Sequence, residues 1–339
     1  MDKKLMPDEG GLVRELLELQ RQGHIPEKFC TMALGFMRCY REALVAAGQS
    51  FSSAIPVFRL FFQLVLAQVR APHVFAPYHQ KLRHPVDYYQ FSLDFIRPLI
   101  DEAHSRLVGE ETIRSILAQM QRGENVIFLA NHQTESDPQA IALMLQKNYA
   151  TLGEKIIYVA GERVLTDPLA VPFSLGCDLL CIYSKRYIDH PPELKAKKQL
   201  HNKNTMELMC RLLQEGGKAI YVAPSGGRDR KSAAGKVSPA PFDPQSVEMF
   251  YLMAKKAGTP THFYPLALST YNLLPPPETI QHELGEHRLA SRTPVTIAFG
   301  SELDMEALGG NEEGSKVERR KKRADAIWAT VVNLYNRVC

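Results

Sequence analysis

Apolar residues in the first seventy positions recur with a helical period. Leu12, Leu16, Leu17 and Leu19 form one set, and Phe29, Met32, Ala33, Phe36 and Met37 form another. Around 58–66 nearly every face is apolar, the pattern of a buried helix. Residues 11–69 therefore predict three or four short helices in a small bundle. Pro72, Pro77 and Pro85 then break regular structure. We place a domain boundary there, with an N-terminal bundle over 1–75 and a second unit over 76–339. From about Glu110 the pattern changes to short apolar runs at 125–130 (NVIFLA), 155–160, 179–183, 219–223, 262–268 and 295–299. Helical segments separate several of them, at 138–147 and at 193–215, the second stopped by Gly216-Gly217. Residues 316–338 read as a closing helix. Near-continuous apolar strands alternating with helices predict an α/β fold with a largely parallel sheet covered on both faces.

Composition narrows the class. The 339 residues are 45% hydrophobic and 23% charged, which excludes a disordered, collagen-like or disulfide-stapled chain. Net charge is +4, from 41 basic and 37 acidic side chains, too balanced for a dedicated nucleic-acid binder. The six cysteines form no C-x-x-C pair and no zinc-like spacing, so reduced thiols in a cytoplasm-like compartment are expected. Near the N-terminus there is no apolar run or Arg/Ser-rich stretch of a signal or transit peptide, although one removed upstream is compatible with this numbering. The apolar stretch 57–69 contains Arg59, Gln63 and Gln68 and falls short of the roughly 20 residues of a membrane span, so no transmembrane helix is expected.

The chemistry concentrates in polar loops that follow the apolar strands. After NVIFLA comes Asn131-His132-Gln133-Thr134-Glu135-Ser136-Asp137-Pro138, after the second strand Gly161-Glu162-Arg163, after the third Ser184-Lys185-Arg186-Tyr187, and after the fourth Pro224-Ser225-Gly226-Gly227-Arg228-Asp229-Arg230. Ligands of open α/β sheets sit outside the carboxyl ends of the strands, so these loops are expected to converge. In the H-x4-D spacing of His132 and Asp137, a turn can bring the carboxylate onto one imidazole nitrogen and leave the other to take a proton from a hydroxyl. Asp137 before Pro138 is equally the pattern of a helix N-cap with proline at N1, and spacing leaves both readings open. Gly226-Gly227 allows close backbone approach, and Arg228 and Arg230 offer planar donors for a phosphate. The plainer alternative for them is a solvated turn in which an arginine pairs with Asp229. Two further features are set aside. His282-Glu283-Leu284-Gly285-Glu286-His287 is one residue too long for a zinc H-E-x-x-H. The run Arg319-Arg320-Lys321-Lys322-Arg323 reads as a solvated helix face.

NHQTESDP, VAGERVLTDPLAVPFSLG, IYSKRY, APSGGRDR, PAPFD and YPLAL occur in the order found in soluble, plastid-type glycerol-3-phosphate acyltransferases, which some bacteria also possess. With HPVDYYQFSLDFIRPLID and the helical N-terminus, this resemblance covers nearly the whole chain. It implies a small helical bundle joined to an α/β domain with a mixed, partly parallel sheet. It also implies transfer of an acyl group from acyl-carrier protein or coenzyme A to the sn-1 hydroxyl of glycerol 3-phosphate. His132 and Asp137 match the catalytic pair, with amides of the following helix as oxyanion donors. Arg228 and Arg230 match the phosphate-binding arginines. Where the family has Lys-His, this chain has Arg186-Tyr187, so Arg186 is expected to bind phosphate, with Lys185 sharing the work. No metal or cofactor is implied beyond the acyl donor. The implied partners are acyl-carrier protein and glycerol 3-phosphate, without nucleic acid, and any membrane contact is a transient surface one. A soluble place in a bacterial cytoplasm or plastid stroma follows. The alternatives are a lysophospholipid acyltransferase, which usually carries E-G-T-R in place of Ser225–Arg228, and a non-catalytic lipid- or carrier-binding protein, which requires no base.

Overall fold

The computed structural model describes residues 9–184, 188–277, 287–309 and 315–338. The N-terminal helices are α1 (Glu9–Arg21), α2 (Glu27–Ala46) and α3 (Ile55–Arg70). A 3₁₀ turn at Phe51–Ala54 runs straight into α3. The continuous helix Phe51–Arg70 is therefore 20 residues long, enough by length and composition to cross a membrane, and longer than the apolar stretch 57–69 indicated. In the fold it packs inward: the ring of Phe58 lies 4.9 Å from Tyr40 on α2 and 4.8 Å from Phe95 on α4 (Tyr88–Ile96). The buried Tyr40 hydroxyl donates to the Phe95 carbonyl at 2.7 Å, which satisfies the one polar atom in this aromatic cluster. The same core takes in Ala140 and Leu169, beyond the bundle.

The remaining elements are β1 (Tyr78–His79), β2 (Arg106–Val108), α5 (Glu110–Gln121), β3 (Asn125–Ala130), α6 (Asp137–Lys155), β4 (Ile156–Gly161), α7 (Glu162–Thr166), α8 (Val171–Ser174), β5 (Asp178–Ile182), α9 (Lys195–Glu215), β6 (Ala219–Val222), α10 (Pro244–Ala257), β7 (Thr261–Ser269), β8 (Thr296–Phe299) and α11 (Lys316–Val338). The six strands expected from the apolar runs are present within two residues at either end. β1 and β2 have two and three residues, too few for a periodic signal.

The eight strands form one sheet in the order β1-β5-β4-β6-β3-β7-β8-β2. It is mixed: β7–β8 and β1–β5 are antiparallel, and the other pairs are parallel. Every residue of β3 is buried, because both of its faces are covered. Val126, Phe128 and Ala130 face the layer of α5 and α6, whereas Ile127 and Leu129 face α9, α10 and α11. From β3 the chain crosses over β6 to reach β4, and from β6 it passes over β3 to reach β7. The helices leaving β3 and β6 thus lie on opposite faces, which opens a crevice at the carboxyl ends of these two strands.

Candidate active site

Beyond Ala130 the chain leaves the sheet but stays packed. Asn131 extends the β3–β7 pairing with its side chain: Oδ1 accepts the Leu268 amide at 2.7 Å and Nδ2 donates to the Leu268 carbonyl at 3.0 Å. Gln133 does the same one step further on. Its Oε1 accepts the amides of Thr270 and Tyr271 at 2.8 and 2.9 Å. Side-chain amides thus supply the donors and acceptors that a strand would have supplied, and the loop is fastened on both sides of His132, to β7 and to the residue just past it.

Asp137 begins α6, ahead of Pro138, yet its carboxylate points back into the loop. One oxygen accepts His132 Nδ1 at 2.8 Å and the Gln133 amide at 2.8 Å. The other accepts the Thr134 amide at 3.3 Å and the Thr270 hydroxyl at 2.6 Å. An N-cap would take amides two or three residues ahead, and Ser136 occupies the cap position, its side chain capping no amide of the helix. The helix-cap reading of Asp137 is thereby corrected. With Asp137 accepting, the imidazole proton sits on Nδ1 and the lone pair on Nε2. The Asp137 side chain is 1% exposed and the His132 side chain 30%, so the carboxylate is hidden and the base reaches solvent. The amides of Gln133 and Thr134 are committed to Asp137, and those of Ser136 and Asp137 to Thr134. All four thus have partners within the loop.

The loop after β6 is tied to this one through Asp229, which is fully buried. Its amide donates to the His132 carbonyl at 2.6 Å. Its carboxylate accepts Asn131 at 2.8 Å, Gln133 at 3.2 Å and the Ala240 amide at 2.8 Å. These donors lower its carboxyl, but burial outweighs them and pushes it up to about 6. Asp229 thus works as a clamp between loops, which replaces the solvated turn entertained for this segment. Arg228 reaches Glu135 of the first loop at 3.8 Å, whereas the Arg230 guanidinium donates to the Pro277 carbonyl. Glu135 is also 2.9 Å from Arg288, whose other end is 3.0 Å from Asp167. Burial raises the Glu135 carboxyl, and Arg288 and Arg228 more than reverse this, so it is held below its ordinary value.

His132, Asp137 and Arg228 are thus brought together. Lys185 and Arg186 lie outside the described residues, as does 282–286 of the zinc-like pattern. Among the described residues no group of three or more His, Cys, Asp or Glu is placed to hold a metal. Five cysteines, Cys30, Cys39, Cys177, Cys181 and Cys210, are free thiols. The polar loop expected after β4 is instead the last strand residue, Gly161, followed directly by α7, and its Glu162 pairs at 3.2 Å with Lys198 of α9, which also donates to the His190 carbonyl at 2.8 Å. Sequence reasoning missed the roles of Asn131, Gln133, Glu135 and Asp229, although each lies inside a quoted motif. Their signal was an uninterrupted polar run directly after a buried strand. Asp167 also lies inside a quoted motif, whereas Thr270 and Arg288 carried no signal, and all three meet their partners across more than a hundred residues.

A family model described as Acyltransferase matches residues 105–269, which span β2 to β7 and both loops. The chain is 36% identical to a chloroplastic glycerol-3-phosphate acyltransferase of Spinacia oleracea, over 96% of this chain and 69% of that protein. It is 35% identical to one of Cucurbita moschata, over 95% and 74%, and 37% identical to one of Arabidopsis thaliana, over 87% and 65%. Each alignment runs through the His132–Asp137 loop and far beyond it. With an oriented histidine on a mixed α/β sheet and this likeness along nearly its full length, the chain belongs to the glycerol-3-phosphate acyltransferases.

Proposed function

We propose that the chain moves an acyl group from a thioester donor, acyl-carrier protein or acyl-coenzyme A, to the sn-1 hydroxyl of glycerol 3-phosphate, as the names of its relatives suggest for the acceptor. The observation that carries this reading is the His132–Asp137 pair, buried on the carboxylate side and open on the imidazole side. His132 Nε2 takes the hydroxyl proton while the oxygen attacks the thioester carbonyl, and the imidazolium returns that proton to the departing thiolate. Asp137 keeps the tautomer and stabilises the imidazolium. Arg228 and Arg230, with Arg186 and Lys185, hold the phosphate, and that anchoring fixes the distant hydroxyl near the base. No side chain needs to carry the acyl group, since the acceptor oxygen attacks directly. The compartment in this reading is a plastid stroma or a bacterial cytoplasm, in keeping with the chloroplastic relatives.

The test is an assay of the purified protein with glycerol 3-phosphate or a lysophosphatidate and with each donor, followed by positional analysis of the product. The expected result is 1-acyl-glycerol 3-phosphate. Acylation of the lysophosphatidate alone, or donor binding without product, would replace this reading with one of its alternatives.

A further inference from the structure

A line of alternating charge runs behind the two loops. Asp167 closes α7, and its Oδ1 accepts the Leu169 amide at 2.9 Å, which fixes it in the turn toward α8. Its Oδ2 lies 3.0 Å from a terminal nitrogen of Arg288. The Nε of the same guanidinium is 2.9 Å from Glu135 Oε2, and the other oxygen of Glu135 is 3.8 Å from Arg228. Each oxygen of Glu135 therefore has a different guanidinium beside it.

The two ends of this line are supported differently. The Arg288 side chain is only 7% exposed, and a cation so deep is tolerated only because two carboxylates compensate it. Its planar fork meets both of them at fixed angles, which a lysine cannot reproduce. Asp167 is held by its own turn, so Arg288 and Glu135 are anchored to the body of the fold. Arg228, by contrast, follows Gly226 and Gly227, around which an added Cβ would meet nothing within 4 Å. The Arg228 side chain itself is only 11% exposed, and it loses less rotamer freedom on binding an anion when neighbours have placed it beforehand. Glu135 is one such neighbour. At 3.8 Å the pair is beyond hydrogen-bond distance, so it steers the Arg228 guanidinium without taking an N–H from a ligand.

We propose that Arg288 is a positioning residue for the acceptor: it locks Glu135, and Glu135 holds the Arg228 guanidinium where the phosphate of glycerol 3-phosphate docks. The inference rests on the reading of Arg228 as a phosphate ligand. It adds that the affinity of the site is set from Asp167, on the far side of the catalytic loop.

The experiment is calorimetric binding of glycerol 3-phosphate and, separately, of acyl-coenzyme A to the full chain. It uses Arg288→Lys, Glu135→Gln, Arg228→Ala and the two double variants that combine Arg228→Ala with each of the others. Arg288→Lys and Glu135→Gln should each weaken glycerol 3-phosphate about tenfold, a mid-range coupling for residues in one charge network. Acyl-coenzyme A affinity should stay at the wild-type value. In the Arg228→Ala background the second change should add less than about twofold, because its path to the ligand is already cut. Losses that multiply in that background, equal losses for both ligands, or tighter binding in Glu135→Gln would overturn the proposal. Unchanged binding in Arg228→Ala would overturn the phosphate reading and the proposal with it. A clear loss in Arg228→Ala beside wild-type binding in the other two single variants would overturn the proposal alone. If Arg288→Lys does not fold, Glu135→Gln decides.

Discussion

At the residue scale the chemistry depends on which atoms accept. All the partners of Asp137 donate, and those of Asp229 do likewise. For Asp137→Asn one orientation keeps most of the network: the amide oxygen keeps His132 and the Gln133 amide, and the NH2 turns to the Thr270 hydroxyl, which can accept, while the long bond from the Thr134 amide is lost. The variant should fold, with turnover reduced by roughly 10²–10⁴ as the imidazolium loses its counter-charge. His132→Ala should lose a similar factor without a change in melting temperature. Near-normal turnover in either folded variant would remove the pair from the mechanism. Asp229 allows a pH test. Its carboxyl rises from 3.8 to about 6 on folding, so its contribution to stability is full below the lower value and is lost as pH rises through the upper one. The loss is roughly 3 kcal/mol. In Asp229→Asn that dependence is absent, so the melting temperature of the wild type relative to the variant should fall between pH 4 and 7. A difference that rises with pH would refute the burial of an ionised Asp229.

At the element scale the N-terminal helices are joined to the rest by shared apolar surface. Phe58 on α3 is fully buried against Tyr40 and Phe95, and the same core reaches Ala140 on α6, four residues beyond Ser136. Phe58→Ala should cost about 3–5 kcal/mol, the usual sum of lost transfer energy and cavity. Because the core is continuous, calorimetry should show one transition shifted downward. Two resolved transitions, with only the first shifted, would mean that the helices unfold independently. Gly109, at the start of α5, is a second point of fixture. Its φ is +89°, and a Cβ there would sit 2.1 Å from the Phe299 carbonyl oxygen, so the β2–α5 turn admits glycine alone.

At the scale of the whole molecule the question is where an acidic carrier protein would dock on a chain of net charge +4. Two lysine- and arginine-rich surfaces invite the question, and the structure trims both. In α9, Lys198 is buried on Glu162, and Lys195 is 2.8 Å from Asp189. In α11, Arg323 turns inward to Glu248, beneath Tyr251. Lys197 and Lys203 on α9, and Lys316, Lys321 and Lys322 on α11, remain exposed. With carrier protein as donor, activity should fall as salt shortens the screening length below about 10 Å, while glycerol 3-phosphate affinity changes less. Lys321→Glu with Lys322→Glu, compared with Lys197→Glu with Lys203→Glu, should single out one face by a loss confined to the carrier-protein donor. Equal losses with acyl-coenzyme A would point to damage at the site.

The boundary between what was legible in the sequence and what was not follows the range of the interactions. The six longer strands, the N-terminal helices, α6, α9, α11 and the H-x4-D loop were legible because period, capping and turn chemistry are local properties of a chain, whereas α4, α5, α7, α8 and α10 were not singled out. The kinship was legible because motifs such as NHQTESDP and APSGGRDR keep their order. Spacing could not decide between Asp137 as a cap and Asp137 as a partner of His132. That choice depends on Thr270, which lies 133 residues away and meets Asp137 only because β7 pairs with β3. Nor could it show that Lys198 is buried, that Asp229 clamps two loops, or that Arg288 stands behind Glu135. A charged side chain looks the same in sequence whether it faces water or a buried carboxylate, and only the packing of the sheet and its crossovers decides which.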